Sequence, residues 1–274
     1  MEWAPRSATR RRSCTRAGRS ACASCARSST SSKATGRCAP ERRVGPQHPA
    51  SVGILGGTFN PPHLGHLALA RHALDELALE RVVLMPAHAS PFKPAAPDPG
   101  PEHRLSMCGL LVRGTPGVSV CALEIERGGD SYTVDTLTAI HASHPEAELT
   151  FIVGADTAST LPAWREPARL LQLADLAVAA RAGTTREEVL ASLRSVGPEL
   201  TGATQAHAGA EAGRDGHARA ERVRFLDLPV IDVSSSAVRR RAADGRPIED
   251  WVGPDVAGYV REQGLYRAPP GGAS

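Results

Sequence analysis

No stretch of the 274-residue chain approaches the roughly 18 consecutive apolar residues of a membrane-spanning helix. There is no Gly-X-Y period, and a hydrophobic fraction of 41% is too high for disorder over the full length. Cysteine is sparse at six, so a small disulfide-stapled scaffold is also excluded. Lysine is nearly missing: Lys33 and Lys93 stand against 30 arginines. Internal repeats are absent, as are both a Walker loop and G-x-G-x-x-G. What is left has the size to bury a substantial core.

The formal net charge of +3 averages two unlike parts. Residues 1–50 hold ten arginines and one lysine against Glu2 and Glu41, a net +9. The remainder holds 21 basic and 27 acidic residues, a net −6. An inference about nucleic acid from the whole-chain charge therefore concerns the tail alone. The body gives no reason to expect a nucleic-acid or membrane partner.

Residues 1–50 are Arg, Ser, Ala and Cys with almost no larger aliphatic side chain. Their apolar area is too small to offset ordering entropy, so a disordered basic extension is expected. Small polar runs such as Ser20–Ala26 do not make the apolar centre of a secretory signal. Cys22-x-x-Cys25, flanked by Cys14 and Cys38, lacks the spacing and hydrophobic surroundings of a zinc ribbon. The arginine-for-lysine bias is typical of coding sequence rich in G and C, and a start codon taken too far upstream accounts for such a tail. Cys108 and Cys121 lie in apolar contexts and read as buried thiols of a cytoplasmic protein.

From Ser51 onward the texture changes. Short apolar runs bounded by turn residues predict strands over Val52–Leu55, Arg81–Met85, Leu149–Val153, Leu176–Ala179 and Arg224–Leu228. Between them, apolar residues three and four apart predict helices over Leu64–Leu77, Arg104–Val112, Val134–Ala142, Pro167–Leu173 and Glu187–Leu193. Val118–Glu126 reads as a further extended segment, and Ala237–Ala243 and Pro254–Gln263 as closing helices. Such alternation predicts an α/β fold: a single Rossmann-like domain, 51–267, built on a doubly wound parallel sheet. Residues 197–221, rich in Gly, Ala, His and charge, read as a flexible insertion, and 268–274 as a disordered tail.

The densest information is Gly56-Gly57-Thr58-Phe59-Asn60-Pro61-Pro62-His63-Leu64-Gly65-His66, which begins where the first strand ends. Open α/β sheets place ligands at such ends. The two glycines permit a tight turn and close approach of backbone N–H groups to an anion. Asn60 suits an N-cap, with Pro61 or Pro62 in the first helical turn. His63 and His66, three apart, project from one face of that turn, while Gly65 leaves room for a nucleotide. Two imidazoles at a helix N-terminus form a donor set for polyphosphate. With no third ligand nearby, the pair does not make a zinc site.

Other residues suit the same chemistry. Ser234, Ser235 and Ser236 precede a helix and can cap it while offering donors to phosphate. Arg239 follows on the first turn, where a guanidinium can grip phosphate oxygens in a fork; Arg240 and Arg241 read as a solvated face. Lys93 is the only lysine of the body, a compact ammonium where arginine is otherwise used. Trp164 suits either stacking on a flat ring or core packing. Tyr132 and Thr133 offer a hydroxyl and backbone N–H groups to a carboxylate. Asp135 and Asp156 can cap helices, contact a ribose or act through water, with capping the simplest role for Asp135.

The Gly56–His66 stretch resembles the H-x-G-H nucleotidyltransferase superfamily. Within it the chain is most similar to bacterial nicotinate-nucleotide adenylyltransferases, whose opening motif usually reads G-G-T-F-D-P-P-H-x-G-H. Asn60 stands where that pattern has aspartate, and Phe92 of Pro91-Phe92-Lys93 where it has histidine. Ser131–Leu137, Gly154-Ala155-Asp156 with Leu161 and Trp164, and Ser234–Arg239 match three further blocks in order. The resemblance runs from about Val52 to Tyr266 and implies adenylyl transfer from ATP to nicotinate mononucleotide, releasing pyrophosphate. It implies that His63, His66, Lys93 and Arg239 are catalytic. ATP would meet Gly56, Gly57, Thr58, Phe59, Gly65, Gly154, Asp156 and Ser234–Ser236 besides. The mononucleotide would meet Asn60, Lys93, Tyr132, Thr133, Asp135 and Trp164. Mg²⁺ is expected on the ATP phosphates rather than on protein ligands. Another acceptor (nicotinamide mononucleotide or phosphopantetheine), a non-catalytic nucleotide-binding regulator and a homo-oligomer all remain open at this point.

Overall fold

The computed structural model describes residues 50–91, 97–180, 183–196, 222–227 and 233–267. The expectations for the N-terminal extension and its cysteines, for Phe92 and Lys93, for the 197–221 insertion and for the 268–274 tail lie outside these residues.

Six strands form one sheet: β1 (Ser51–Gly57), β2 (Arg81–Pro86), β3 (Val118–Val120), β4 (Glu148–Gly154), β5 (Asp175–Ala179) and β6 (Val223–Leu226). All neighbours pair in parallel, in the order β3-β2-β1-β4-β5-β6. Their near-continuous apolar sequences follow from burial on both faces, which only helix-covered parallel sheets provide. Val82, Val83 and Leu84 are fully buried, as are Leu176, Ala177 and Val178. β1 also needs a glycine at Gly53: a Cβ there would lie 2.8 Å from both Ile152 Cδ1 and Leu79 Cδ1.

Helices α1 (Leu64–Glu76) and α2 (Pro101–Val112) supply Ala70, Ala73, Cys108 and Val112 to a core shared with Leu55, Val82, Leu84 and Ile152. After β3 come α3 (Leu123–Arg127) and α4 (Thr133–Ser143); after β4 come α5 (Ala155–Ala158), a 3₁₀ turn at Leu161–Ala163 and α6 (Pro167–Leu173). α7 (Arg186–Arg194) leads toward β6. Helices α8 (Ser235–Ala243), α9 (Glu249–Val252) and α10 (Pro254–Glu262) close the chain over a second core that includes Met107, Val238, Val252 and Val256.

Three sequence expectations are corrected. Val118–Glu126 is extended only over Val118–Val120; Leu123–Arg127 is helical, with Glu124 turned inward to bond Thr136. Asn60 is not the N-cap of α1, and neither Pro61 nor Pro62 lies in its first turn: the chain runs on through both prolines and His63, in extended conformation, takes the cap position. α2 also starts one turn earlier than the periodicity indicates, with Pro101 at its first position, where the missing N–H costs little.

The strand order reverses direction between β1 and β4. At such a point the connections leave to opposite sides, opening a crevice beyond the strand ends. Leu55 is paired with Ile152, so the chain leaving β1 at Gly57 and the chain leaving β4 at Gly154 start side by side.

Candidate nucleotide site at the switch point

The segment leaving β1 is held in a demanding conformation. Phe59 has φ 52°, a left-handed value that costs a non-glycine residue energy and needs support from its surroundings. Its ring supplies that support: it is 2% exposed within the core and stands edge-on to His66 at 4.9 Å. Asn60 and His63 are also buried, at 6% and 7% exposure.

His63 and His66 face one another, as their spacing predicts. Their rings stack at 3.6 Å between centroids with planes 25° apart. The backbone N–H of His63 donates to His66 Nδ1 at 3.1 Å, a capping contact in which an imidazole replaces the usual carboxylate or amide. Because Nδ1 accepts, the neutral His66 ring carries its proton on Nε2, which makes that edge a donor.

Helix α8 is clasped onto the same turn from the far end of the sequence. The Ser235 hydroxyl donates to the Pro61 carbonyl at 2.8 Å, and Arg239 donates from one Nη to the Asn60 carbonyl at 2.6 Å. Its other Nη donates to Ser236 Oγ at 3.1 Å. Ser234 is the N-cap, its hydroxyl accepting from the Ala237 N–H at 3.2 Å, as expected of a serine before a helix. Two helix N-termini, two imidazoles and a guanidinium thus gather at one turn, a set of donors suited to an anion. Arg240 is exposed, but Arg241 is not a free surface charge: it lies over the Trp251 ring and donates to the Pro247 carbonyl.

Asn60 uses its side-chain amide to donate to the Pro97 carbonyl at 3.0 Å. A carboxylate has no proton for that bond, which gives the Asn at this position a structural use.

The second group of expected residues surrounds the start of α4 and the stretch after β4. Tyr132 is the N-cap residue of α4, and Asp135 sits in the first turn without making a capping bond. Asp135 instead pairs with Arg165 at 3.2 Å, whose guanidinium also lies 4.9 Å above the centre of the Tyr132 ring. Trp164 is half-buried; its indole N–H donates to Thr160 Oγ1 at 3.1 Å and its rings meet Phe151 edge-on at 6.0 Å. Asp156 folds back so closely that a Cβ on Gly154 would lie 2.7 Å from its carboxylate oxygen. Beneath Tyr132, Thr136 is buried and donates to Glu124 at 2.6 Å; burial pushes the Glu124 carboxyl up, against opposing help from Thr136, Ser131 and Arg127.

Two residues of this region carry no sequence signal of their own. Arg165 is one arginine among many until the structure sets it on Tyr132. Arg104 is 1% exposed and donates to three main-chain carbonyls, those of Thr58 at 2.8 Å, Ala87 at 2.6 Å and His88 at 2.8 Å.

Among the described residues no three His, Cys, Asp or Glu side chains come together as a metal cage. No described helix is long and apolar enough to cross a membrane. Cys108 and Cys121 are buried free thiols, and burial pushes both upward, Cys108 well above the ordinary thiol range.

The chain matches the model of the cytidylyltransferase-like family over residues 54–241. A protein of Symbiobacterium thermophilum is 36% identical over 79% of this chain and 95% of its own. One from Roseiflexus sp. is 38% identical over 80% of this chain and 98% of its own. Both carry the name probable nicotinate-nucleotide adenylyltransferase. Among solved structures, Plasmodium falciparum nicotinic acid mononucleotide adenylyltransferase complexed with NaAD superposes with a TM-score of 0.59 at 16% identity. That likeness covers 79% of this chain and 97% of the other and concerns the fold. The chain therefore belongs to the cytidylyltransferase-like family and, within it, to the group of the nicotinate-nucleotide adenylyltransferases.

Proposed function

We infer that the protein transfers the adenylyl group of ATP to nicotinate mononucleotide, forming nicotinate adenine dinucleotide and pyrophosphate. The observation that carries this reading is the clasp of Ser235 and Arg239 on Asn60–Pro61 beside the stacked His63 and His66. In the reaction, a 5′-phosphate oxygen of the mononucleotide bonds to the α-phosphorus of ATP while the bond from that phosphorus to the β-bridging oxygen breaks. The leaving group departs as pyrophosphate. Since the attacking phosphate is already an anion, no general base is needed, and catalysis rests on alignment and charge stabilisation.

His66 would donate from Nε2 to phosphate oxygens as charge develops, with His63 stacked behind it. Arg239 spends one Nη on Asn60 and one on Ser236, and a guanidinium has five N–H donors in all, so others serve the triphosphate. Gly56 and Gly57, with Thr58 and Phe59, would line the nucleotide from the β1 end, and Gly154 and Asp156 from the β4 end. Lys93 would complete the cationic set. On the acceptor side, Trp164 would stack on the pyridine ring and the backbone at Tyr132–Thr133 would meet its carboxylate, with Asp135 holding Arg165 nearby. Magnesium would enter as part of the ATP substrate, since the gathered side chains are donors for anions and a hard cation takes phosphate oxygens and water. Buried free thiols at Cys108 and Cys121 suit the reducing cytoplasm.

The test is pyrophosphate release by the purified protein with MgATP and either nicotinate or nicotinamide mononucleotide. Turnover with the nicotinate form at much higher kcat/KM is expected. Preference for the nicotinamide form would reassign the acceptor, and turnover with neither would reject the reading.

A further inference from the structure

The loops that carry the two halves of the site leave different strands, and one buried side chain holds them in register. Arg104, on α2, is 1% exposed, yet its guanidinium bonds nothing within α2 itself. One Nη donates to both the Thr58 carbonyl (2.8 Å), inside the turn after β1, and the Ala87 carbonyl (2.6 Å), at the end of β2. The other donates to the His88 carbonyl at 2.8 Å, and Nε donates to Asp98 at 3.0 Å. Asp98 also accepts from the Gly100 N–H at 2.9 Å, fixing the entry to α2.

The segment held at Ala87–His88 is itself joined to the acceptor side. The His88 N–H donates to Ser131 Oγ at 2.9 Å, and the Ser131 N–H donates to the Ala89 carbonyl at 2.8 Å, one residue before Tyr132. A bond from the Ala87 N–H to the Gly57 carbonyl at 2.9 Å runs beside the guanidinium. A continuous set of hydrogen bonds thus leads from the Thr58 turn, through Arg104, to the strand-end loop and on to Ser131–Tyr132. Burying a guanidinium is expensive, and its cost is offset only when several donors are satisfied in fixed geometry. The carbonyls of Thr58, Ala87 and His88 belong to two separate loops, so the bonds that satisfy the guanidinium also fix where those loops lie.

We propose that Arg104 is a positioning residue of the transferase reaction, setting the distance between the nucleotide turn and the acceptor loop. The inference rests on the adenylyl-transfer reading above. An in-line displacement between two bound substrates is sensitive to their relative placement, whereas each substrate's own binding depends on local contacts. Loss of Arg104 should therefore lower kcat far more than it raises either KM.

Arg104→Lys keeps the charge but replaces a planar fork by a compact ammonium that cannot reach both loops and Asp98 together. Expected are a fall in kcat of roughly 10- to 100-fold per folded molecule, with both KM values within about threefold of wild type. Backbone amide exchange at Ala87, His88 and Ser131 should quicken by about tenfold or more while β1 and β4 amides stay protected. Unchanged kcat overturns the proposal, as does a kcat loss with unchanged exchange at those three amides. Should Arg104→Lys not fold, Asp98→Ala serves: Asp98 is 38% exposed, and its loss deprives Arg104 Nε of its partner and lets the guanidinium shift. It should quicken exchange at Ala87 and His88 and lower kcat by about two- to fivefold; no change in either overturns the proposal. A wild-type protein inactive with both mononucleotides overturns the functional reading, whereas an active wild type with unchanged amide exchange in the Arg104→Lys variant overturns this inference alone.

Discussion

Arg239 reaches 179 residues back along the chain to donate a 2.6 Å hydrogen bond to the main-chain carbonyl of Asn60. Through this contact the last motif of the sequence is built into the first. It also preorients the guanidinium, so that less rotamer entropy is lost when phosphate oxygens arrive.

The first prediction concerns that guanidinium. Arg239→Ala should cost about 1.5–3 kcal/mol of transition-state binding, roughly 10- to 150-fold in kcat/KM, because it removes a charged hydrogen-bond donor. Arg239→Lys should recover little, since an ammonium cannot span Asn60 and Ser236 while also facing a phosphate. The exposed neighbour Arg240→Ala should leave kcat/KM within about twofold. Steady-state kinetics on the three proteins decide it, and equal losses at Arg239 and Arg240 would refute the assignment.

A second prediction separates the two nitrogens of His66. Nδ1 accepts the His63 N–H and so supports the start of α1, while Nε2 is assigned to phosphate. His66→Asn keeps an acceptor near Nδ1 and should hold the melting temperature close to wild type. His66→Ala should lose about 1 kcal/mol of stability, the usual cost of a lost cap. Both should lose kcat by about two orders of magnitude or more, as when a donor to the developing charge is removed. A stable His66→Asn protein with near-normal turnover would show that the histidine only caps.

Much of this architecture is legible in the amino-acid sequence. The strands are short apolar runs between turn residues, and burial on both sheet faces leaves them little other composition. His63 and His66 are readable as a pair from their spacing, although the contact is that of an extended N-cap residue with the third residue of the helix rather than of one helical face. Asn60 misleads because a capping residue followed by proline looks like a helix start, whereas the chain turns once more before His63 begins it. Leu123–Arg127 misleads because five residues are too few to show a helical period. Arg104 is hidden for a different reason: in a chain with 30 arginines, one more on a helix carries no signal, and its partners are backbone carbonyls that any sequence supplies.

Asn60 supplies a third prediction. Its amide N–H bonds Pro97, so Asn60→Asp sets a carboxylate against a carbonyl in a site only 6% exposed. The variant should lose about 1–3 kcal/mol at neutral pH, the range for a buried polar group deprived of its partner. Protonation restores a donor, so the loss should shrink as pH falls. Thermal melts at about pH 5 and about pH 7.5 measure this, on either side of the range where a buried carboxyl titrates. A variant as stable as wild type at both would show that the Pro97 bond contributes nothing.

The last prediction follows from Glu124, whose carboxyl burial holds above its ordinary value of 4.5. The folded protein then binds this proton more tightly than the unfolded chain does. Its contribution is fully present below the unfolded value and is lost as pH rises through the folded one. Glu124→Gln removes that titration while leaving a side-chain carbonyl to accept from Thr136, the 2.6 Å bond beneath Tyr132. The stability of the variant relative to wild type should therefore increase as pH rises from about 4 to 8. Urea titrations across that range provide the measurement, and a difference that is flat or falls with pH would contradict the sign.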